Sequence, residues 1–205
     1  MDTDDERWNA LSRLLAQERN TGSFMSLLLD RDLVSRATEQ LDERSRVLDF
    51  GSGTGALAFA VAWSGAQVDA TIARLASWTR IGGRLLLVVP HPLKDYGDWH
   101  RDPPGGDAIS YRFYVLHDYL REGVCLKTRE NRHGQVTARD VPSHHRTISS
   151  YFNALLRHGF DVREMVEPAP AAADADTEPV LYAKSSRIPY FLLFDCRRQG
   201  PTSSQ

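Results

Sequence analysis

The stretch that most constrains this chain is Val47-Leu48-Asp49-Phe50-Gly51-Ser52-Gly53-Thr54-Gly55. Arg46 to Phe50 is a short apolar run of the kind a buried strand shows, and Ala56 to Trp63 reads as a compact apolar helix. The alternating glycines between them make a tight turn. Without Cβ atoms, such a turn lets backbone N–H groups at a helix start approach a ligand closely. The spacing is not that of the dinucleotide fingerprint, and a purely structural turn is the alternative reading. A second constraint lies just downstream. Only 26 residues separate Gly55 from the next glycine turn, Gly82-Gly83. One strand–helix–strand unit already takes ~30 residues.

Around this motif the periodicities alternate. Residues from about Asp5 to Leu41 read as helical, with Leu11, Leu14 and Leu15 on one face and Phe24, Leu27, Leu28 and Val34 on a second. Thr71 to Thr79 is another helix, with Ile72, Leu75 and Ala76 inward. Arg84 to Val89 is a continuous apolar run, as in a strand buried on both faces. From His91 to Ser143 the chain turns rich in Pro, Gly, His, Asp and aromatics. There Asp118–Lys127 and Gln135–Arg139 form a candidate hairpin around Asn131-Arg132-His133-Gly134. Thr147 to His158 is a helix with Gly159 placed for a left-handed cap. Phe160–Val166 and Ile188–Cys196 read as the last two strands, with a loop from Pro168 to Pro179 between them. The expected organisation is an N-terminal helical segment over 1–42, an α/β domain over 43–198 with an insertion at about 91–143, and a polar tail over 199–205.

Composition excludes several classes. With 41% hydrophobic and 25% charged residues the chain is globular in type, and a net charge of -2 gives no general attraction to nucleic acid or anionic membrane. No apolar run approaches the ~20 residues of a membrane span. The acidic start, Met1-Asp2-Thr3-Asp4-Asp5-Glu6, has no signal-peptide core, and Cys125 and Cys196 have no metal-ligand spacing. The expectation is a cytoplasmic protein with reduced thiols.

The glycine motif resembles the first motif of class I S-adenosylmethionine-dependent methyltransferases. Other segments resemble that family in the same order. They are Thr71 to Leu75 with Ile81 to Leu87, Val89-Pro90-His91-Pro92, His145 to Tyr151 continuing to Gly159-Phe160, Glu167-Pro168, and Arg187 to Leu192. The resemblance is to a small-molecule branch, commonest in bacterial secondary metabolism, and covers most of residues 40–196. It implies a reduced Rossmann-like methyltransferase sheet with an aromatic insertion. It also implies that the middle of the cofactor domain is deleted, with the junction near Val68 and Asp69. The missing part would carry the acid that binds the ribose hydroxyls, the adenine walls and the fourth strand. Asp69 is the nearby acid that could substitute for the ribose acid, or it is a helix N-cap. Losing an internal strand leaves two sheet edges to be closed, either by each other or by another chain. A second protein chain, more than a second copy, is therefore the expected partner.

In that framework Asp49, Gly51 and Gly53 are a vestigial cofactor site, and no cofactor is expected. S-adenosylmethionine would be bound if the chain is a working methyltransferase that holds it in an altered way or completes its site across an interface. The substrate face falls to the loops after the strands. His145, Arg146 and Glu167 are the candidate catalytic residues. His91, Trp99, Tyr111, Tyr114, His144 and Tyr151 are candidate substrate contacts, with Phe113 beside them. Histidine exchanges protons near neutral pH, and glutamate serves as a base or holds an amine. Arginine pairs with a carboxylate, sulfate or phosphate. Each residue also has a structural reading: His144-His145-Arg146 as a donor-rich loop, and the aromatics as the insertion's own core. No metal is assigned, since His144 and His145 lack further ligands at zinc spacing. Three functions remain open. One is a non-methylating enzyme or subunit of small-molecule biosynthesis. Another is a methyltransferase completed by a partner, and the third is a non-catalytic scaffold.

Overall fold

The computed structural model describes residues 31–39, 68–101, 111–130 and 136–200. The strand at Arg46–Phe50, the glycine turn with Asp49, Gly51 and Gly53, and the helix at Ala56–Trp63 lie outside the described residues. The chain divides into two units, Met1–Ala60 and Val61–Gln205. In the first, helix α1 spans Arg31–Thr38.

In the second unit, the described elements begin with α2 (Val68–Trp78). It starts three residues before the helix expected at Thr71 and buries Val68, Ile72, Leu75 and Ala76, a face at helical spacing. Gly82, at φ 74°, turns the chain into β1 (Arg84–Pro90). Strands β2 (Gly97–Arg101), β3 (Tyr111–Leu116), β4 (Gly123–Glu130) and β5 (Val136–His145) follow. Then come α3 (Ile148–Arg157), β6 (Phe160–Val166), the short helices α4 (Asp174–Thr177) and α5 (Pro179–Ser185), and β7 (Phe191–Arg198).

The core sheet has the order β1-β7-β6, and β7 is antiparallel to both neighbours. β1 and β6 therefore run parallel to each other and end on the same side. Among the described residues every strand pairing is antiparallel, and the sheets are small, within the mixed α/β class expected for this part of the chain. The reason is the connection. β7 begins at the sheet end where β6 finished, and a strand that returns without crossing the sheet must run backwards. Burial follows from the central position of β7: Leu192, Leu193, Phe194 and Cys196 are fully enclosed, and Leu87, Val88 and Val89 of β1 nearly so. Helix α3 lays Tyr151, Ala154 and Leu155 inward, and the Tyr151 ring lies 6.4 Å from Phe194.

The insertion holds two separate hairpins, β2–β3 and β4–β5. The expected hairpin is present, but β4 begins at Gly123 and β5 continues to His145. His144 and His145 are thus strand residues, not loop residues. The β2–β3 pair was not visible in the sequence, and the loop expected from Pro168 to Pro179 contains α4 and leads directly into α5. Proline suits the first position of α5, because the N–H it lacks has no helical partner there.

Candidate functional site

The carboxyl ends of β1 and β6 bring two of the candidate residues together. His91 follows β1 directly, and Glu167 follows β6. His91 is fully buried, while the Glu167 side chain is 52% exposed. The His91 backbone N–H donates to the Tyr190 carbonyl at 2.9 Å, which ties the end of β1 to the start of β7. Its ring caps the 3-10 turn Pro92–Lys94: Leu93 N–H donates to His91 Nδ1 at 3.2 Å. With Nδ1 accepting, the ring proton sits on Nε2, which faces Glu167 Oε1 at 2.9 Å. Burial pushes the His91 pKa below its usual value, against the opposing pull of the Glu167 carboxylate. The result is a neutral imidazole donating one N–H to a half-exposed carboxylate.

Beside this pair lies a network that the sequence did not reveal. The Asp95 carboxylate is almost enclosed. It accepts from Lys127 Nζ, from Ser143 Oγ at 3.3 Å and from His145 Nδ1 at 3.1 Å. Lys127 Nζ also donates to the Lys94 carbonyl at 2.9 Å, and the Asp95 N–H donates to the Pro92 carbonyl at 3.1 Å. His145 is fully buried, with Nε2 2.7 Å from the Tyr119 carbonyl. Both of its ring nitrogens are engaged inside the protein, and Glu167 is paired with His91 rather than with His145.

The start of α3 is closed as well. Thr147 caps the helix by accepting from the Ser150 N–H at 3.2 Å, and Ile148 N–H donates to the Tyr119 hydroxyl at 3.1 Å. Glu122 Oε1 accepts from the Thr147 N–H and hydroxyl, each at 2.9 Å, and from the Ser150 hydroxyl. Burial raises the Glu122 pKa, but those hydrogen bonds outweigh it and hold the carboxyl below its ordinary value. The anion favoured at this helix terminus is thus supplied by the protein itself. Arg146 turns toward the same group: its Nη1 donates to the His145 carbonyl at 3.2 Å and lies 3.7 Å from Glu122 Oε2.

The remaining candidates fall into two groups. Trp99 and Tyr114 are cross-strand partners meeting edge to face at 5.1 Å, and the Arg187 guanidinium lies 5.3 Å from the Trp99 ring centre. Tyr114 donates its hydroxyl to the Leu93 carbonyl at 2.9 Å, and burial raises its pKa. Gly97 makes room for the Tyr114 ring, since a Cβ there would run into it. Lys94 Nζ sits 3.6 Å above the Tyr190 ring centre. Tyr151 is a core residue, its hydroxyl pushed up to about 12 by burial. Phe113 stacks on His100, and His144 pairs with Val124 in the hairpin register. Tyr111 pairs with Arg101 by register, and its side chain lies outside the described residues.

Asp69 is neither cap nor isolated acid. It sits inside the first turn of α2, where Arg157 Nη2 donates to Oδ1 at 2.7 Å and His158 Nε2 lies 3.0 Å from Oδ2. The hydrogen bond from Arg157 and then the contact with His158 lower its pKa. Among the described residues no group of three or more His, Cys, Asp or Glu is arranged for a metal ion, and no helix is long and apolar enough to cross a membrane. Cys125 and Cys196 are both buried and free.

No protein-family model matches the sequence, and no curated protein matches it. Solved structures similar to this chain include two described as methyltransferases. One is a candidate S-adenosylmethionine-dependent methyltransferase from Listeria monocytogenes, with TM-score 0.49, 24% identity, and coverage of 64% of this chain and 55% of that one. The other is an S-adenosylmethionine-dependent methyltransferase from Mesorhizobium loti, with TM-score 0.48, 28% identity and the same coverages of 64% and 55%. The chain thus spans about half the length of these proteins.

Proposed function

We propose that this chain is a methyltransferase-like enzyme subunit of bacterial small-molecule biosynthesis. In this reading it has left methyl transfer behind, binds S-adenosylmethionine weakly or not at all, and acts with a partner chain. The observation that carries the reading is the His91–Glu167 pair. A half-exposed carboxylate lies at the carboxyl end of a strand, the side on which open α/β sheets take ligands. A buried neutral imidazole orients it through a single N–H. Such a carboxylate can accept a proton from a small organic substrate or hold its amine. His91 does not face the substrate in this scheme; its Nδ1 is occupied by backbone, so it positions Glu167. The 26-residue interval between Gly55 and Gly82 supports the loss of cofactor binding, because it leaves too little chain for the ribose acid and the adenine walls.

The test starts from the complex co-purified with its natural partner. Glu167→Gln keeps the shape and the contact with His91 but abolishes the base. Activity should fall by on the order of a hundredfold with thermal stability retained. Full activity in both Glu167→Gln and Glu167→Asp would remove Glu167 from the site and favour a scaffold role. The glycine turn at Asp49, Gly51 and Gly53 favours a second reading, a working methyltransferase completed across an interface. Calorimetric titration of the isolated chain separates the two: micromolar binding of S-adenosylmethionine would sink the first reading and establish the second.

A further inference from the structure

Two buried histidines in this molecule have opposite surroundings. His91 meets one donor, the Leu93 N–H, and one acceptor, Glu167. His145 meets two acceptors, the Asp95 carboxylate at 3.1 Å and the Tyr119 carbonyl at 2.7 Å. A neutral imidazole carries one N–H and one bare lone pair. With its proton on Nδ1, His145 would direct a lone pair at the Tyr119 carbonyl. With its proton on Nε2, it would direct one at Asp95. Only the doubly protonated ring satisfies both partners.

We propose that His145 is held as an imidazolium and that, with Asp95 and Lys127, it forms a buried charged latch fixing the β4–β5 hairpin to the turn that carries His91. The latch releases when the ring loses its second proton. The parts of the latch come from different elements. Asp95 closes the 3-10 turn capped by His91, Lys127 comes from β4, and Ser143 and His145 come from β5. Lys127 also reaches the Lys94 carbonyl in that turn. The groups facing His145 are few. From the turn these are the Asp95 carboxylate and the Tyr96 ring, 4.9 Å away centre to centre. From the segment before β4 they are the Tyr119 carbonyl and its ring, 5.6 Å away. Lys127 and Ser143 act on His145 through Asp95. The Cys125 thiol nearby has its pKa raised by burial, so it adds no negative charge. Arg146 lies next in sequence with its guanidinium near Glu122. Asp95 is the carboxylate in contact with two cationic groups, and the Tyr119 carbonyl takes the remaining N–H. Removing the second proton replaces an attractive contact by two acceptors facing each other within a buried site, where unpaired polar groups cost most.

Two-bond nitrogen–proton NMR on protein with labelled histidines reads the states directly. His145 should show two protonated ring nitrogens at a pH where His91 shows one protonated and one bare. Raising the pH until His145 loses a proton should lower the amide protection of Gly123–Lys127, corrected for the intrinsic rise of exchange with pH, by about tenfold or more, while the protection of β7 is unchanged. Lys127→Met removes a neighbouring positive charge and should move that release to higher pH. Asp95→Asn should move it to lower pH. A bare nitrogen on His145 throughout, or a deprotonation that leaves the corrected protection of β4 unchanged, overturns the latch even if either variant fails to fold.

Discussion

The chemistry of His91 depends on which atoms reach its ring. An exposed histidine titrates near 6.5, but burial lowers the pKa of this one. The sign for stability follows from proton counting. Between the lowered folded value and 6.5 the unfolded chain binds more protons, so stability is complete above 6.5 and falls as the pH drops through that window. His91→Gln keeps an N–H for Glu167 and cannot be protonated. Thermal melts from neutral to mildly acidic pH should therefore show a smaller acid loss in His91→Gln than in the native chain. The carboxylates lose their contributions only in more acidic solution. Asp69 and Glu122 both have lowered values, so what they add is present above the ordinary carboxylate range and disappears below it. At Gly97 the constraint is steric. A Cβ would strike the Tyr114 ring, so Gly97→Ala should cost about 1–3 kcal/mol by forcing the hairpin apart. Trp99 packs on that ring, and its fluorescence should report the change alongside the denaturation midpoint.

At the scale of elements, helix ends decide much of the architecture. Arg198 leaves the end of β7 and donates to carbonyls at the C-termini of two helices. Its Nε reaches Ala76 O in α2 at 3.2 Å, and its Nη1 reaches His158 O and Gly159 O, after α3, at 2.8 and 2.9 Å. Carbonyls at a helix end have no helical donor, and a positive charge suits the dipole there. Gly159, at φ 73°, makes the turn that lets the guanidinium approach. Arg198→Ala should lower unfolding stability by about 2 kcal/mol in urea titration, with Arg198→Lys recovering part of the loss. A variant as stable as the native chain would mean that these carbonyls find other donors. The start of α3 has the same logic with the opposite charge, since Glu122 occupies the terminus that would otherwise welcome an anionic ligand.

At the scale of the whole molecule, the described core sheet has β1 at one edge and β6 at the other. Of these two edge strands, β1 carries the buried apolar segment, with Val88 and Val89 2% exposed. An edge strand of this kind needs a neighbour for its outer backbone groups. Under the proposed function a partner chain supplies it, and light scattering tests this. A monodisperse, stable monomer points to closure within the chain and weakens the expectation of a partner. A chain that is soluble only when co-expressed with a neighbouring gene product supports it.

The sequence alone determined the local elements whose signals are local. The apolar run at Arg84–Val89, the amphipathic helix ending at Gly159 and the strand at Phe160–Val166 were all legible, because periodicity and a positive-φ glycine act over a few residues. It also marked His91 and Glu167 as candidates through the positions they hold after strands. Only the tertiary structure decided that these two meet, because β7 inserts between β1 and β6 and brings both strand ends to one side. It likewise decided that Tyr151 is core, that Arg146 and the start of α3 are answered by Glu122, and that His145 is sealed against Asp95. Asp95, Lys127, Tyr119 and Glu122 carry no sequence signal for this, since each is an ordinary polar residue until a distant segment supplies its partner. A hydrogen bond between residues 50 apart, as between His145 and Asp95, leaves no period in a sequence; it exists because the hairpin folds back on the turn after β1.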